Sequence, residues 1–87
     1  MPPPPAARPH PPVLPSWLCR TCAAPWPCGQ ARLLLLHEFG RDRIALSIHL
    51  AALYTAAVTD LHRLHPYEGP EPGVLFQRFL GWIPRRP

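Results

Sequence analysis

The stretch Trp17-Leu-Cys19-Arg-Thr-Cys22-Ala-Ala-Pro-Trp26-Pro-Cys28 holds all three cysteines of this 87-residue chain. A C-x2-C pair with a third thiol six positions on can converge three thiolates on one cation, because a turn between the first two brings both sulfurs to the same side. Cys19, Cys22 and Cys28 are therefore the expected metal ligands, with zinc the expected metal, in a small knuckle at the head of the fold. A chain this short buries a smaller fraction of its surface than a large one, and a metal is a natural staple for it. Two other uses of the same residues stand beside this one. The cysteines can pack as small, soft hydrophobes beneath Trp17 and Trp26, or Cys19 and Cys22 can form a redox pair. Redox pairs of the thioredoxin kind open a helix after a βαβ-type strand, and no strand pattern precedes Cys19.

Upstream of the knuckle, residues 1–15 contain eight prolines. Proline removes a backbone donor and fixes φ, so this segment reads as a disordered, extended polyproline-type arm. The folding unit is then expected over residues 16–83, with a frayed tail at 84–87. A proline run stands where a signal peptide would carry its basic and apolar regions, so the chain is expected in the cytoplasm. In that reducing setting three clustered cysteines favour metal or redox chemistry over a disulfide framework.

Downstream, residues 30–39 are mostly good helix formers and close at Gly40. Asp42 can cap a second helix over 44–64, which runs without Gly or Pro until Pro66. Leu46, Leu50, Leu53, Ala57 and Leu64 follow three- and four-residue steps apart from a gap at Asp60, and that face is expected to form the core. A third helix is expected over 72–80, with Pro72 in its first turn, Val74, Leu75, Phe76, Phe79 and Leu80 as packing residues, and Gly81 as its stop. The fold class expected is thus all-α: a three-helix domain with an N-terminal cysteine knuckle. The other side of the second helix, with Ile44, Ile48, Ala51, Ala52, Tyr54 and Val58, is also weakly polar. Either both flanking helices cover it or a second chain does. Residues 44–59 carry no charge, but this run is shorter than the ~20 apolar residues that span a bilayer and contains Ser47, His49, Thr55 and Thr59, so a buried central helix with room for a dimer face is expected, and no membrane.

A tetrahedral site needs a fourth ligand. His37 lies nine residues beyond Cys28, roughly 13 Å along a helix axis at ~1.5 Å per residue, too far to share one ion. His62 and His65 are three apart on one helical face, but the second helix is expected to have run past the knuckle by then, and a cationic imidazole there complements the helix C-terminus. The fourth position is left among His49, on the returning second helix, His10, folded back from the proline arm at a cost in chain entropy, water, and a group from a partner.

The nine basic residues are all arginine, at 8, 20, 32, 41, 43, 63, 78, 85 and 86, and the formal charge is +4. They are scattered without a dense run, so nucleic-acid binding is allowed but not indicated. Trp17 and Trp26 flank the cysteines and can shield them from water or stack on bases.

The pattern Trp17-x-Cys19-x2-Cys22-x3-Trp26-Pro27-Cys28, followed by Ala31-Arg32, a leucine-rich helix, a long alanine-rich helix and a closing Phe79-Leu80-Gly81-Trp82, resembles a group of small uncharacterised actinobacterial proteins over roughly residues 16 to 82. Members often carry labels such as "hypothetical protein" or "flavin reductase". A flavin reductase needs a barrel or Rossmann-like scaffold to hold the ring beside a nicotinamide, and no G-x-G-x-x-G fingerprint or succession of strands occurs here. The function expected is that of a non-catalytic, metal-stapled helical module acting through protein contacts, self-association being the simplest. The alternatives are a nucleic-acid-associated regulator using Arg20, Arg32, Arg41 and Arg43, and a redox-linked protein using Cys19 and Cys22.

Overall fold

The computed structural model describes residues 8–84. Two short strands, β1 (Pro12–Val13) and β2 (Leu18–Cys19), pair antiparallel with Pro12 opposite Cys19 and Val13 opposite Leu18. Three helices follow: α1 (Gly29–Phe39), α2 (Arg43–Leu64) and α3 (Pro72–Phe79). The fold is therefore not purely all-α, which corrects the expected class.

The correction has a physical cause in the proline arm. Proline cannot donate to a ladder but can accept, and at a sheet edge that suffices. Arg20 N–H donates to the Pro11 carbonyl at 2.9 Å, and Trp17 N–H to the Val13 carbonyl at 2.7 Å. Residues 8–15 are thus part of the fold rather than of a disordered arm; residues 1–7 of the expected arm, and 85–87 of the expected tail, lie outside the described residues.

The helix boundaries follow local chemistry. Cys28 caps α1, its sulfur accepting from Ala31 N–H at 3.5 Å, and Gly40 ends the helix at φ +59°, a left-handed conformation that glycine adopts without Cβ strain. Asp42 caps α2, its carboxylate accepting from Ala45 N–H at 3.0 Å. Pro72 opens α3, where its missing N–H has no intrahelical partner to lose. Replacing Asp42 by alanine is expected to destabilise the fold by ~1 kcal/mol, and Asp42→Asn to be nearly neutral, as read in chemical denaturation. Equal midpoints for Asp42→Ala and the parent chain would mean that the cap contributes nothing.

The core runs from the knuckle through the helices: Trp17, Trp26 and Phe79 meet edge to face or tilted, with ring centroids 5.6–6.1 Å apart, above Leu46, Leu50, Ala57, Leu61 and Leu75. On α2 the expected stripe holds at Leu46, Leu50 and Ala57, while Leu53 is only partly buried. It fails at Leu64, which is exposed, and Leu61 takes the inward position. The step from 57 to 61 is a regular four-residue turn, so the stripe passes the gap at Asp60 one residue later than expected. On α3, Leu75 and Phe79 are fully buried, whereas Val74 and Phe76 face outward.

By length and composition α2 is apolar enough to cross a membrane: its 18-residue window has a mean hydropathy of 1.5, and 22% of that window is buried. With so little of it covered, α2 is a mostly exposed helix rather than the buried central helix expected.

Candidate metal centre

The knuckle is built by two tight backbone devices. Ala23 N–H donates to the Cys19 carbonyl at 2.8 Å, and Cys19 N–H takes the Ala24 carbonyl at 2.7 Å, which folds the C-x2-C segment back on itself. Ala23 closes this turn at φ +63°. Leu18 then bridges to Pro25, and Trp26 N–H donates to the Trp17 carbonyl at 2.9 Å, so the chain returns alongside β2 and delivers Cys28 to the first turn of α1.

His10 completes the cluster. One ligand atom each from His10, Cys19, Cys22 and Cys28 lies within 4.8 Å of every other. The imidazole Nδ1 is 3.2 Å from the Cys19 sulfur and 3.4 Å from the Cys28 sulfur. A tetrahedral zinc with Zn–S of ~2.3 Å and Zn–N of ~2.0–2.1 Å has sulfur–nitrogen edges of ~3.5 Å and sulfur–sulfur edges of ~3.8 Å, so the four donors fit such an ion with little movement. All three cysteines are free thiols. The donor set could hold a metal ion as it stands.

His10 is held by its surroundings rather than by the imidazole alone. Trp26 Nε1 donates to the His10 carbonyl at 2.7 Å, and Thr21 Oγ1 to the Pro9 carbonyl at 2.7 Å. With the Arg20–Pro11 ladder bond, these contacts offset the chain entropy that ordering this segment costs.

The electrostatics favour anionic sulfur at one corner. Burial presses the Cys19 pKa upward, but hydrogen bonds from the backbone N–H groups of Cys22 and Thr21, and then from the Cys22 and His10 side chains, outweigh it and leave the thiol at about 6. Cys28 is moved the other way. Burial raises it, the neighbouring Cys22 and Cys19 sulfurs add to the rise, and the N–H of Ala31 opposes them. Cys22 is exposed while Cys19 and Cys28 are buried, so the centre sits at the rim of the fold with one ligand facing solvent.

The other histidines lie elsewhere. His49 stacks beside Phe39, ring centroids 5.3 Å apart, at the far end of α1 from Cys28. The part of α2 that returns to the knuckle is its last third: Trp17 Nε1 donates to Asp60 Oδ2 at 2.8 Å. His37, His62 and His65 are exposed and outside the cluster.

Two residues that spacing arguments do not single out position the knuckle. Arg78, on α3, donates from Nε to the Trp26 carbonyl and from Nη2 to the Trp17 carbonyl, both at 2.7 Å. Burial, and then the charge of Arg32, lower its pKa. Asp60 ties Trp17 to α2. The only trace of Arg78 in the sequence is a lone cation between the apolar residues of α3, a pattern shared by any solvated helix face. No protein-family model, curated protein or solved structure matches the chain.

Proposed function

We propose that this chain is a non-catalytic, zinc-stapled helical module that acts through protein contacts in the cytoplasm. The observation that carries the proposal is the convergence of His10 Nδ1 with the sulfurs of Cys19, Cys22 and Cys28. A Cys3His set is a structural zinc donor set, and a site closed by four protein ligands leaves no open position for a substrate. A metal held by His10, Cys19, Cys22 and Cys28 would join the segment carrying His10, the C-x2-C turn and the start of α1. Trp26, Arg78 and Asp60 then transmit that joint to the helices. Of the four arginines weighed for nucleic-acid contact, Arg41 and Arg43 lie at the far end of α1 from the knuckle, and Arg32 is engaged with the Pro27 and Arg78 carbonyls, which favours a structural role for it over phosphate contact.

Native mass spectrometry with elemental analysis of protein purified without chelator or affinity metal is expected to show one zinc per chain. His10→Ala is expected to weaken zinc at least tenfold while the fold persists in excess metal. Because Cys28 must lose a proton whose pKa burial has raised, affinity is expected to rise with pH in a competition titration with a chromophoric chelator. A folded, metal-free chain that takes up no zinc would return the cysteines to packing.

A further inference from the structure

The uncovered side of α2 borders a groove. Ile44 and Ile48, 75% and 67% exposed, form one wall, and Phe76, Leu80 and Ile83 form the other, around an open volume of about 740 Å³. Along α2 the groove runs from Arg43 to Ala51, ~12 Å at 1.5 Å per residue, or about two helical turns. At its head stands Arg43, whose Nε and Nη1 are covered yet have no hydrogen-bond partner among the described residues. A cationic N–H stripped of water and left without an acceptor is a costly arrangement that native structures rarely keep without a use.

Charge decides the occupant. No acidic side chain lines the groove, and residues 44–59, the stretch of α2 that a second copy would lay into it, contain none either. A second copy would also bring its own charge of +4. The two acids that flank that stretch, Asp42 and Asp60, are already engaged with Ala45 N–H and Trp17 Nε1, so the missing acceptor is sought in a different molecule.

We propose that the groove between α2 and α3 receives an amphipathic helix of a partner protein, its apolar face against Ile44, Ile48, Phe76 and Leu80 and a carboxylate side chain meeting Arg43. Two turns of helix place apolar anchors at i, i+3 or i+4, and i+7 against the walls. A Glu or Asp one turn from the anchors draws the Arg43 side chain out of its cover into a charge-assisted, two-pronged hydrogen bond. The proposal rests on the reading of the chain as a protein-contact module and names the chemistry of the partner.

The test is selection of helix-forming 18-residue peptides from a displayed random library against the full chain purified with its metal, followed by affinity measurements on synthesised winners. The expected winners share the apolar spacing and an acidic residue. Their binding falls at least tenfold with Ile48→Arg, with Ile44→Arg, with Arg43→Gln, and with the peptide's acid changed to its amide; the last two changes are not additive. Unchanged circular dichroism and metal content establish that the variants fold. Failure to enrich any peptide, or winners without an acid or indifferent to Arg43→Gln, overturns the proposal. Winners indifferent to both isoleucine changes bind elsewhere, which overturns the groove while leaving the protein-contact reading intact. Ile48-dependent dimerisation in sedimentation, or Ile48-dependent binding to phosphatidylglycerol vesicles, assigns the face to a second copy or to lipid and overturns it as well.

Discussion

Cys22→Ala is expected to take up no zinc and to melt at least ~10 °C below the parent chain loaded with zinc. Structural zinc sites in small domains are worth ~10–16 kcal/mol of apparent binding free energy at neutral pH, and binding is folding wherever the unfolded chain has no site. A domain of this size shifts by roughly 4–8 °C for each kcal/mol, so even a fraction of the metal's contribution gives a shift of that size. Cys22 is the informative position because its side chain is exposed, whereas Cys19 and Cys28 are 2% and 7% exposed and belong to the core. Truncating either of those removes packing together with a ligand, and the two effects cannot be separated. At Cys22 the truncation removes the ligand and its sulfur's contacts with the other two thiols, with no buried packing. Chelator-treated parent protein should therefore melt where Cys22→Ala melts, and Cys22→Ala should be insensitive to chelator. A Cys22→Ala midpoint equal to that of the parent with metal present would falsify the structural-metal claim.

The three helices were legible because each is bounded by residues with one strong local meaning. Asp42 caps, Gly40 stops, Pro72 starts, and Pro66 forbids continuation; none of these depends on what lies across the fold. The three thiols were legible for the same reason, since the C-x2-C turn and the start of α1 are local. His10 was not, because its selection depends on contacts far along the chain. The Trp26 indole reaches its carbonyl across 16 residues and the Thr21 hydroxyl reaches the Pro9 carbonyl across 12. Proline content argued for a solvated arm, and nothing short of those partners argues the other way. The strand pairing was hidden for a related reason, because a two-residue ladder leaves no alternation to detect. Spacing alone puts His49 on the helix that returns toward the knuckle, but α2 begins at the far end of α1, where His49 lies beside Phe39, and its hydrogen bond to Trp17 comes from Asp60, eleven residues later.

Trp17→Ala is expected to be the most damaging single change outside the metal ligands. Trp17 is 1% exposed, and truncation of a buried tryptophan costs ~3–5 kcal/mol through lost transfer free energy and the cavity left behind. Native stabilities run near 0.05–0.15 kcal/mol per residue, or ~4–13 kcal/mol for a chain of this length, so the change removes a large part of what holds the fold. The loss has two separable parts. The ring packs against both Trp26 and Phe79, at 6.1 and 5.6 Å between centroids, and the indole N–H satisfies Asp60; the backbone carbonyl that accepts from Trp26 N–H and Arg78 is common to every variant at this position. Trp17→Phe keeps most of the ring contact and the backbone bonds but leaves the half-buried Asp60 carboxylate short of a donor. Its expected cost is ~1–3 kcal/mol. In Trp17→Phe/Asp60→Leu, where neither polar partner remains, part of that loss should return, so the double change should be less damaging than the sum of the two single changes. Chemical denaturation in excess zinc keeps the metal's contribution constant across the set. Equal stability of Trp17→Ala and the parent under those conditions would mean that the metal alone holds the knuckle against the helices, with the aromatic cluster contributing nothing to the joint.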